Sequence, residues 1–264
     1  MSAASATALI GYTGFVGGTI ARGRTFDALY NSKNISDIVG RSFDLVVCAG
    51  VSAAKWLANR EPEADRAAIA ALTRCLEQID ARELVLISTI DVYPDPSLPL
   101  DESRSIDPAA THAYGRHRFE LEQWVRRRFT LSRIVRLPAL FGEGLRKNAL
   151  YDLLNDNLVG NIDPSAVFQW YPMGRIAGDL DVVRRSDLRL VNLFTEPIGM
   201  SEIITAFFPA ARTGRPTASA PRYALRTKHA ALFGGADGFI MRKSEVLREM
   251  AGFVATEQRA KQAT

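Results

Sequence analysis

Residues 7–10 form a short apolar run that stops at Gly11. Glycine then recurs at positions 14 and 17, just as helical periodicity begins at Phe15. Glycines with this G-x-x-G-x-x-G spacing at a strand-to-helix joint permit a tight turn. They also let the backbone approach a ligand and let the helix pack close to the strand. The start of such a helix offers unpaired N–H groups and the positive end of the helix dipole, which suits a phosphate. The turn therefore predicts an anion-binding loop contributed by Gly11, Thr13, Gly14, Phe15, Val16 and Gly17.

A rhythm follows from that opening. Apolar runs at 26–30, 44–49, 83–88, 131–137 and 188–194 alternate with helical stretches at 61–79 and 113–128. Fully apolar strands separated by helices indicate a parallel sheet covered on both faces. Right-handed crossovers make it a doubly wound α/β sheet, the Rossmann fold, with its ligand beyond the carboxyl ends of the strands. From Gly142 onward the pattern is less regular and rich in proline. This predicts a division into residues 1–145, the nucleotide-binding region, and 146–264, a small C-terminal substrate lobe that returns its strand at 188–194 to the main sheet. Residues 210–221 read as a loop and 244–254 as a closing helix with Ser244 as its N-cap. The small, polar ends, residues 1–7 and those after Glu257, read as disordered.

The chain of 264 residues carries a formal charge of +4. That mild excess suits an anionic ligand. Arg126, Arg127 and Arg128 stand at the end of a predicted helix, where cations complement the dipole. No zinc-finger spacing and no aromatic-basic interleaving occurs, so no nucleic-acid partner is expected. Cys48 and Cys75 are too few and too far apart for a disulfide framework, which fits the cytoplasm. No apolar run is long enough for a membrane span, and the N-terminus lacks the pattern of a signal peptide.

The usual reader of an NAD ribose is a carboxylate about 20 residues after the first glycine. Asn31, Ser32 and Lys33 stand there instead. A lysine with polar neighbours can hold a 2′-phosphate, so NADP is expected ahead of NAD.

Three later segments complete the pattern: Cys48-Ala49-Gly50, then Ser88-Thr89-Ile90-Asp91-Val92-Tyr93, then Tyr114-Gly115-Arg116-His117-Arg118. With the glycine turn, this series resembles the extended short-chain dehydrogenase/reductases, the NAD-dependent epimerase/dehydratase family. It is also similar to their smaller relatives, the deoxysugar 4-ketoreductases. The resemblance covers Ala8 to about Gly142. It implies that Thr89 orients a substrate oxygen and that Tyr114 is the acid/base of a Y-x-x-x-K helix, with Arg118 in the lysine's place as cofactor anchor. The chemistry needs such a set, because hydride transfer at a carbinol carbon requires a proton to move on its oxygen. A free phenol has a pKa near 10, and a cation one helical turn away would lower it. Arginine keeps that charge but relays no proton.

The resemblance further implies cofactor contacts from Cys48, Ala49, Gly50, Ser88, Leu137 and Pro138. Substrate contacts are implied from Val51, Ser52, Thr89, Asp91 and Asn148. Asp91 reads as an extra acid or as a turn cap, and the cap is favoured. Ile90 replaces the first residue of the acidic pair that dehydratases carry. Phe168, Trp170 and Tyr171 read either as a stacking surface or as a half-buried strand. His112, His117 and His229 lack metal spacing and read as surface histidines, so no metal is expected.

The expected function is an NAD(P)-dependent oxidoreductase acting on a carbonyl/alcohol of a sugar or nucleotide sugar. The alternatives are a nucleotide-sugar epimerase of the same family and an inactive cofactor-binding regulator or scaffold. A homo-oligomer is compatible with the resemblance, with no interface identified.

Overall fold

The computed structural model describes residues 6–262. In chain order the elements are β1 (Thr7–Ile10), α1 (Phe15–Gly23), β2 (Ala28–Tyr30), β3 (Ser42–Cys48), α2 (Lys55–Arg60), α3 (Pro62–Leu76), β4 (Asp80–Thr89), α4 (Ala113–Arg128) and β5 (Ser132–Leu137). There follow β6 (Ala139–Phe141), α5 (Ala149–Asn155), β7 (Val167–Phe168), β8 (Trp170–Pro172), α6 (Ile176–Arg185), β9 (Leu190–Asn192), β10 (Ile198–Gly199), α7 (Met200–Phe207) and α8 (Lys243–Gln262).

Six strands form one sheet in the order β2-β1-β3-β4-β5-β9. The pairings of β1 with β2, β1 with β3 and β3 with β4 are parallel, with Ile10 opposite both Tyr30 and Cys48. Both faces of these strands are buried. Ala8, Ile10, Val46, Cys48, Leu84 and Leu86 join Leu72 and Leu76 of α3 and Leu121 and Val125 of α4 in one core. Leu9, Leu45, Val47 and Val85, which alternate with them, are buried too. Continuous apolar runs are what a strand covered on both sides requires. The late strand does join this sheet, as β9 beside β5.

The chain divides into two compact units. One comprises the chain up to Asp95, Ser105–Arg136 and Ile176–Val191; the other comprises Pro96–Arg104, Leu137–Arg175 and Asn192 onward. A single cut at residue 145 is therefore too simple, because α6 belongs with the sheet and residues 96–104 do not. In the first unit α6 lies against α1, where a Cβ on Gly23 would come within 2.9 Å of Ala177. In the second unit β6 pairs with β8 and β10 with β7.

Boundaries shift where local chemistry decides them. The run at 61–79 starts at Pro62, the favoured first helical position. Thr7, assigned to a disordered start, opens β1; residues 1–5 lie outside the described residues. The closing helix is longer than expected and continues through residues 258–262 of the tail; residues 263 and 264 lie outside the described residues. Val246, Met250 and Val254 bury one face, and the Lys261 ammonium donates to the Leu154 carbonyl and to Asn155 Oδ1. Ser244 lies inside that helix, not at its cap. The free amides at its start are taken by Glu245, which accepts from Arg242 N at 2.8 Å, and by Glu196, which accepts from Lys243 N at 2.7 Å.

Candidate active site

The glycine turn joins β1 to α1. Gly11 has φ +89°, and a Cβ there would lie 2.4 Å from the Ala49 carbonyl oxygen. Only glycine accepts both conditions. At Gly17 a Cβ would lie 2.1 Å from the Gly11 carbonyl oxygen, so the helix start rests directly on the turn. Gly14 differs. Its φ is −80°, and a Cβ would meet only the Gly11 oxygen, at 3.3 Å. No side chain caps α1, and no carboxylate stands in its first turn. The first amides of a helix have no intrahelical acceptor. This cradle, open at Gly14 and uncapped, fits the phosphates of a dinucleotide. The Ala49 amide donates to the Ile10 carbonyl at 2.9 Å, which sets residues 49–50 beside the turn.

Thr89 ends β4, next to β3 in the sheet, and its hydroxyl accepts from the Asp91 amide at 3.2 Å. Tyr114 lies in the first turn of α4 and is 7% exposed, its phenol near enough to the Thr89 hydroxyl for that group to favour the phenolate. Gly115 makes this approach possible, because any Cβ there would lie 2.0 Å from the Asp91 carbonyl oxygen. The Tyr114 amide donates to Asn59 Oδ1 at 3.0 Å, and His112 Nδ1 caps the helix by accepting from the Gly115 amide at 3.2 Å. Thr89 and Tyr114 thus lie near each other at the carboxyl end of β4.

Arg118 is one turn further along α4, as expected, but it is fully engaged within the protein. Its guanidinium lies 3.8 Å from the Tyr114 ring centroid. Nη1 donates to Asp65 Oδ2 at 2.5 Å and to the Tyr114 carbonyl at 3.2 Å. Nη2 donates to Asp65 Oδ1 at 2.8 Å and to the Ser52 carbonyl at 2.6 Å. Only the buried Nε lacks a partner. The expected lowering of the phenol pKa is reversed. Burial pushes Tyr114 above the ordinary tyrosine value, against the opposing pull of Arg118 and Thr89, and Asp91 and Asp65 add to the rise.

Asp65, in the first turn of α3, is the residue that sequence reasoning missed. Burial would raise its carboxyl pKa, but hydrogen bonds from Arg118 and His117 outweigh that and hold it below the usual value. His117, expected at the surface, is 4% exposed, with Nδ1 at 2.7 Å from Asp65 Oδ2. A carboxylate 53 positions before its arginine leaves no signal in spacing.

Asp91 meets Lys55 Nζ at 2.7 Å, so its carboxylate is ion-paired, and the turn after Thr89 is capped by Thr89 itself. Burial, then the Lys55 charge, pushes the His112 pKa down. The Ser88 side chain turns into the core and donates to Glu122 Oε1 at 2.5 Å. Glu122 is also paired bidentately with Arg136, whose Nη1 donates to the Tyr93 hydroxyl at 3.0 Å. Cys48 is buried, and its thiol is pushed up to about 11 by that burial.

After β2, Asn31 Nδ2 donates to the Tyr12 hydroxyl at 3.2 Å, and its Oδ1 accepts from the Lys33 amide at 2.8 Å. Ser32 and Lys33 are exposed, as is Thr13, while Phe15, Val16 and Val51 are half-buried. Leu137 and Pro138 are buried and lie at the end of β5. In the second unit, Asn148 caps α5, with Oδ1 accepting from the Leu150 and Tyr151 amides and Nδ2 donating to the Leu140 carbonyl. Trp170 and Tyr171 are core residues at 1% and 0% exposure, which removes them as a stacking surface; Phe168 packs at 5.6 Å from Tyr223. Among the described residues no group of three or more His, Cys, Asp or Glu side chains could hold a metal ion, and no helix is long and apolar enough to cross a membrane.

No family model matches the chain, and no curated protein matches its sequence. Solved structures do match. A dTDP-4-dehydrorhamnose reductase from Clostridium acetobutylicum aligns with a TM-score of 0.72 at 16% identity, over 96% of this chain and 99% of that one. A UDP-N-acetylglucosamine 4-epimerase from Methanobrevibacter ruminantium, in complex with UDP-N-acetylmuramic acid, gives 0.72 at 15% identity, over 96% and 99%. A UDP-glucuronic acid 4-epimerase from Bacillus cereus, in complex with UDP-glucuronic acid and NAD, gives 0.67 at 13% identity, over 95% and 99%. The chain shares the fold of this reductase and these epimerases.

Proposed function

We propose that the protein is an NAD(P)-dependent oxidoreductase acting on a carbonyl/alcohol pair of a sugar or nucleotide sugar. The observation that carries this reading is the buried Tyr114 phenol, close enough to the Thr89 hydroxyl at the carboxyl end of β4 to feel it, beside the sheet whose first strand leads into an uncapped glycine cradle. Gly11, Thr13, Gly14, Phe15, Val16 and Gly17 would hold the dinucleotide phosphates, and the backbone around 48–50 would flank them. When bound, the dinucleotide supplies a two-electron donor or acceptor. Tyr114 gives a proton to, or takes one from, the substrate oxygen, and Thr89 orients that oxygen. The polar residues Asn31, Ser32 and Lys33, with no carboxylate among them, support NADP(H) as the preferred form; the Bacillus cereus neighbour carries NAD.

An epimerase is the second reading, favoured by two of the three neighbours described above. Progress curves separate the two, since an epimerase returns its electrons and leaves no net change in reduced-nicotinamide absorbance. An inactive dinucleotide-binding scaffold is the third, motivated by the engagement of Arg118 with Asp65. The test is Tyr114→Phe. The expected result is retained dinucleotide binding with turnover reduced about 10²–10⁴-fold, the usual weight of a general acid/base. Unchanged turnover would refute the oxidoreductase reading.

A further inference from the structure

Arg118 and Asp65 form a charge pair of unusual placement. Their side chains are 5% and 8% exposed, and they meet through two hydrogen bonds directly behind the Tyr114 ring. The two partners come from different helices, α4 and α3. The Ser52 carbonyl holds the far side of the guanidinium, and His117 holds the far side of the carboxylate. A cation free to turn toward a ribose would not be built this way. Four donated hydrogen bonds hold it over the phenol ring, and a full negative charge sits against it.

We propose that Asp65 is a positioning residue of this site, acting through Arg118. It holds the guanidinium over the Tyr114 ring and opposes its charge, so that the phenol meets the substrate carrying its proton. The inference rests on the acid/base role assigned above to Tyr114 and assigns that role a form. The resting site is a proton donor, ready for a carbonyl substrate. An alcohol substrate would first require the phenol to lose its proton.

Most of the surroundings of Tyr114 act in the same direction, against the lowering pull of Arg118 and Thr89. Desolvation disfavours phenolate. From the turn after β4, Asp91 adds negative charge, partly balanced by Lys55 of α2. From α3, Asp65 adds more. His112, at the start of α4, is pushed toward its neutral form, and its ring centroid is 6.3 Å from that of Tyr114. Arg118 is the cation in contact with the ring, and Asp65 is its direct counter-charge.

The experiment reads the phenol without any substrate. The ultraviolet titration of Tyr114 is obtained as the difference between the protein and its Tyr114→Phe variant, then repeated in an Asp65→Asn background. Asparagine keeps the shape and one acceptor but removes the charge. The expected result is a Tyr114 titration moved to lower pH by about one unit, the scale of a removed neighbouring charge. Asp65→Glu, which restores the charge, should titrate within a few tenths of wild type. If the asparagine variant fails to fold, Asp65→Gln compared with Asp65→Glu gives the same contrast at matched length. A neutral variant in which Tyr114 titrates as in wild type, or higher, overturns the proposal. Loss of turnover in Tyr114→Phe tests the enzyme reading separately, so the two can fail independently.

Discussion

At Gly14 a Cβ atom would meet nothing nearer than the Gly11 carbonyl oxygen at 3.3 Å, whereas at Gly17 it would lie 2.1 Å from the same atom. The fold therefore excludes any side chain at 17, whereas alanine at 14 asks the Gly11 carbonyl to give by only a few tenths of an ångström, and a glycine that the fold requires so little points to a ligand. Gly14→Ala should melt within about 2 °C of wild type, since an allowed φ costs little stability. It should also bind the dinucleotide at least about tenfold more weakly, or ~1.4 kcal/mol, measured by quenching of protein fluorescence. Equal affinity would remove the phosphates from this turn. Tyr114 makes a second prediction at this scale. Because burial raises its pKa, the proton-donating form persists through neutral pH and beyond the ordinary tyrosine value. Carbonyl reduction should therefore hold its kcat/KM across neutrality and fall only in strong alkali, whereas a lowered phenol would show the fall near neutral pH.

Helix α4 is tied to its surroundings by ion pairs that the sequence displays only as isolated charges. Glu122 is fully buried and bonded to Arg136 of β5 through both oxygens. Glu122→Gln leaves a buried guanidinium without its counter-charge and should cost about 3–5 kcal/mol in urea denaturation. The double variant Glu122→Gln with Arg136→Met should recover much of that, and a full loss in both would show that the pair is not the cause. Asp65 links α4 to α3 in a pH-dependent way. Its folded pKa is depressed, so its contribution is complete above the ordinary aspartate value and is lost as pH falls through the folded value. Stability should therefore fall less steeply on acidification in Asp65→Asn than in wild type. Elements rather than pairings were legible in the chain. The glycine turn and the late strand follow from local pattern, because they depend on residues a few positions apart or on periodicity, whereas Thr89 and Tyr114, far apart in the chain, are singled out only by the resemblance to a family. Asp65, His117 and Lys55 act across gaps of tens of residues, and their type alone marks them as surface charges. The reading of Arg118 as a cofactor anchor shares that origin, since helical spacing places it beside Tyr114 but says nothing of the carboxylate on α3.

At the level of the whole chain, the tail shows how little composition says about order. Residues 258–262 are mostly polar, yet they continue α8, whose buried Val246, Met250 and Val254 anchor it in the second unit. Truncation after Val254 should lower stability by only about 1 kcal/mol, because it removes exposed turns and the Lys261 contacts. Truncation before Lys243 removes three buried apolar side chains, each worth about 1.5–3 kcal/mol, and should leave the second unit open to limited proteolysis. The division into two units also bears on synthesis. The strand that finishes the six-stranded sheet is β9, and it is encoded after the whole of residues 137–175, which belong to the other unit. On a ribosome, which reads from the N-terminus, the first unit waits with an open sheet edge beside β5 until residue 192 has emerged. From the emergence of β5 until that of β9 the nascent chain thus carries an unpaired strand flank, the kind of surface that chaperones hold.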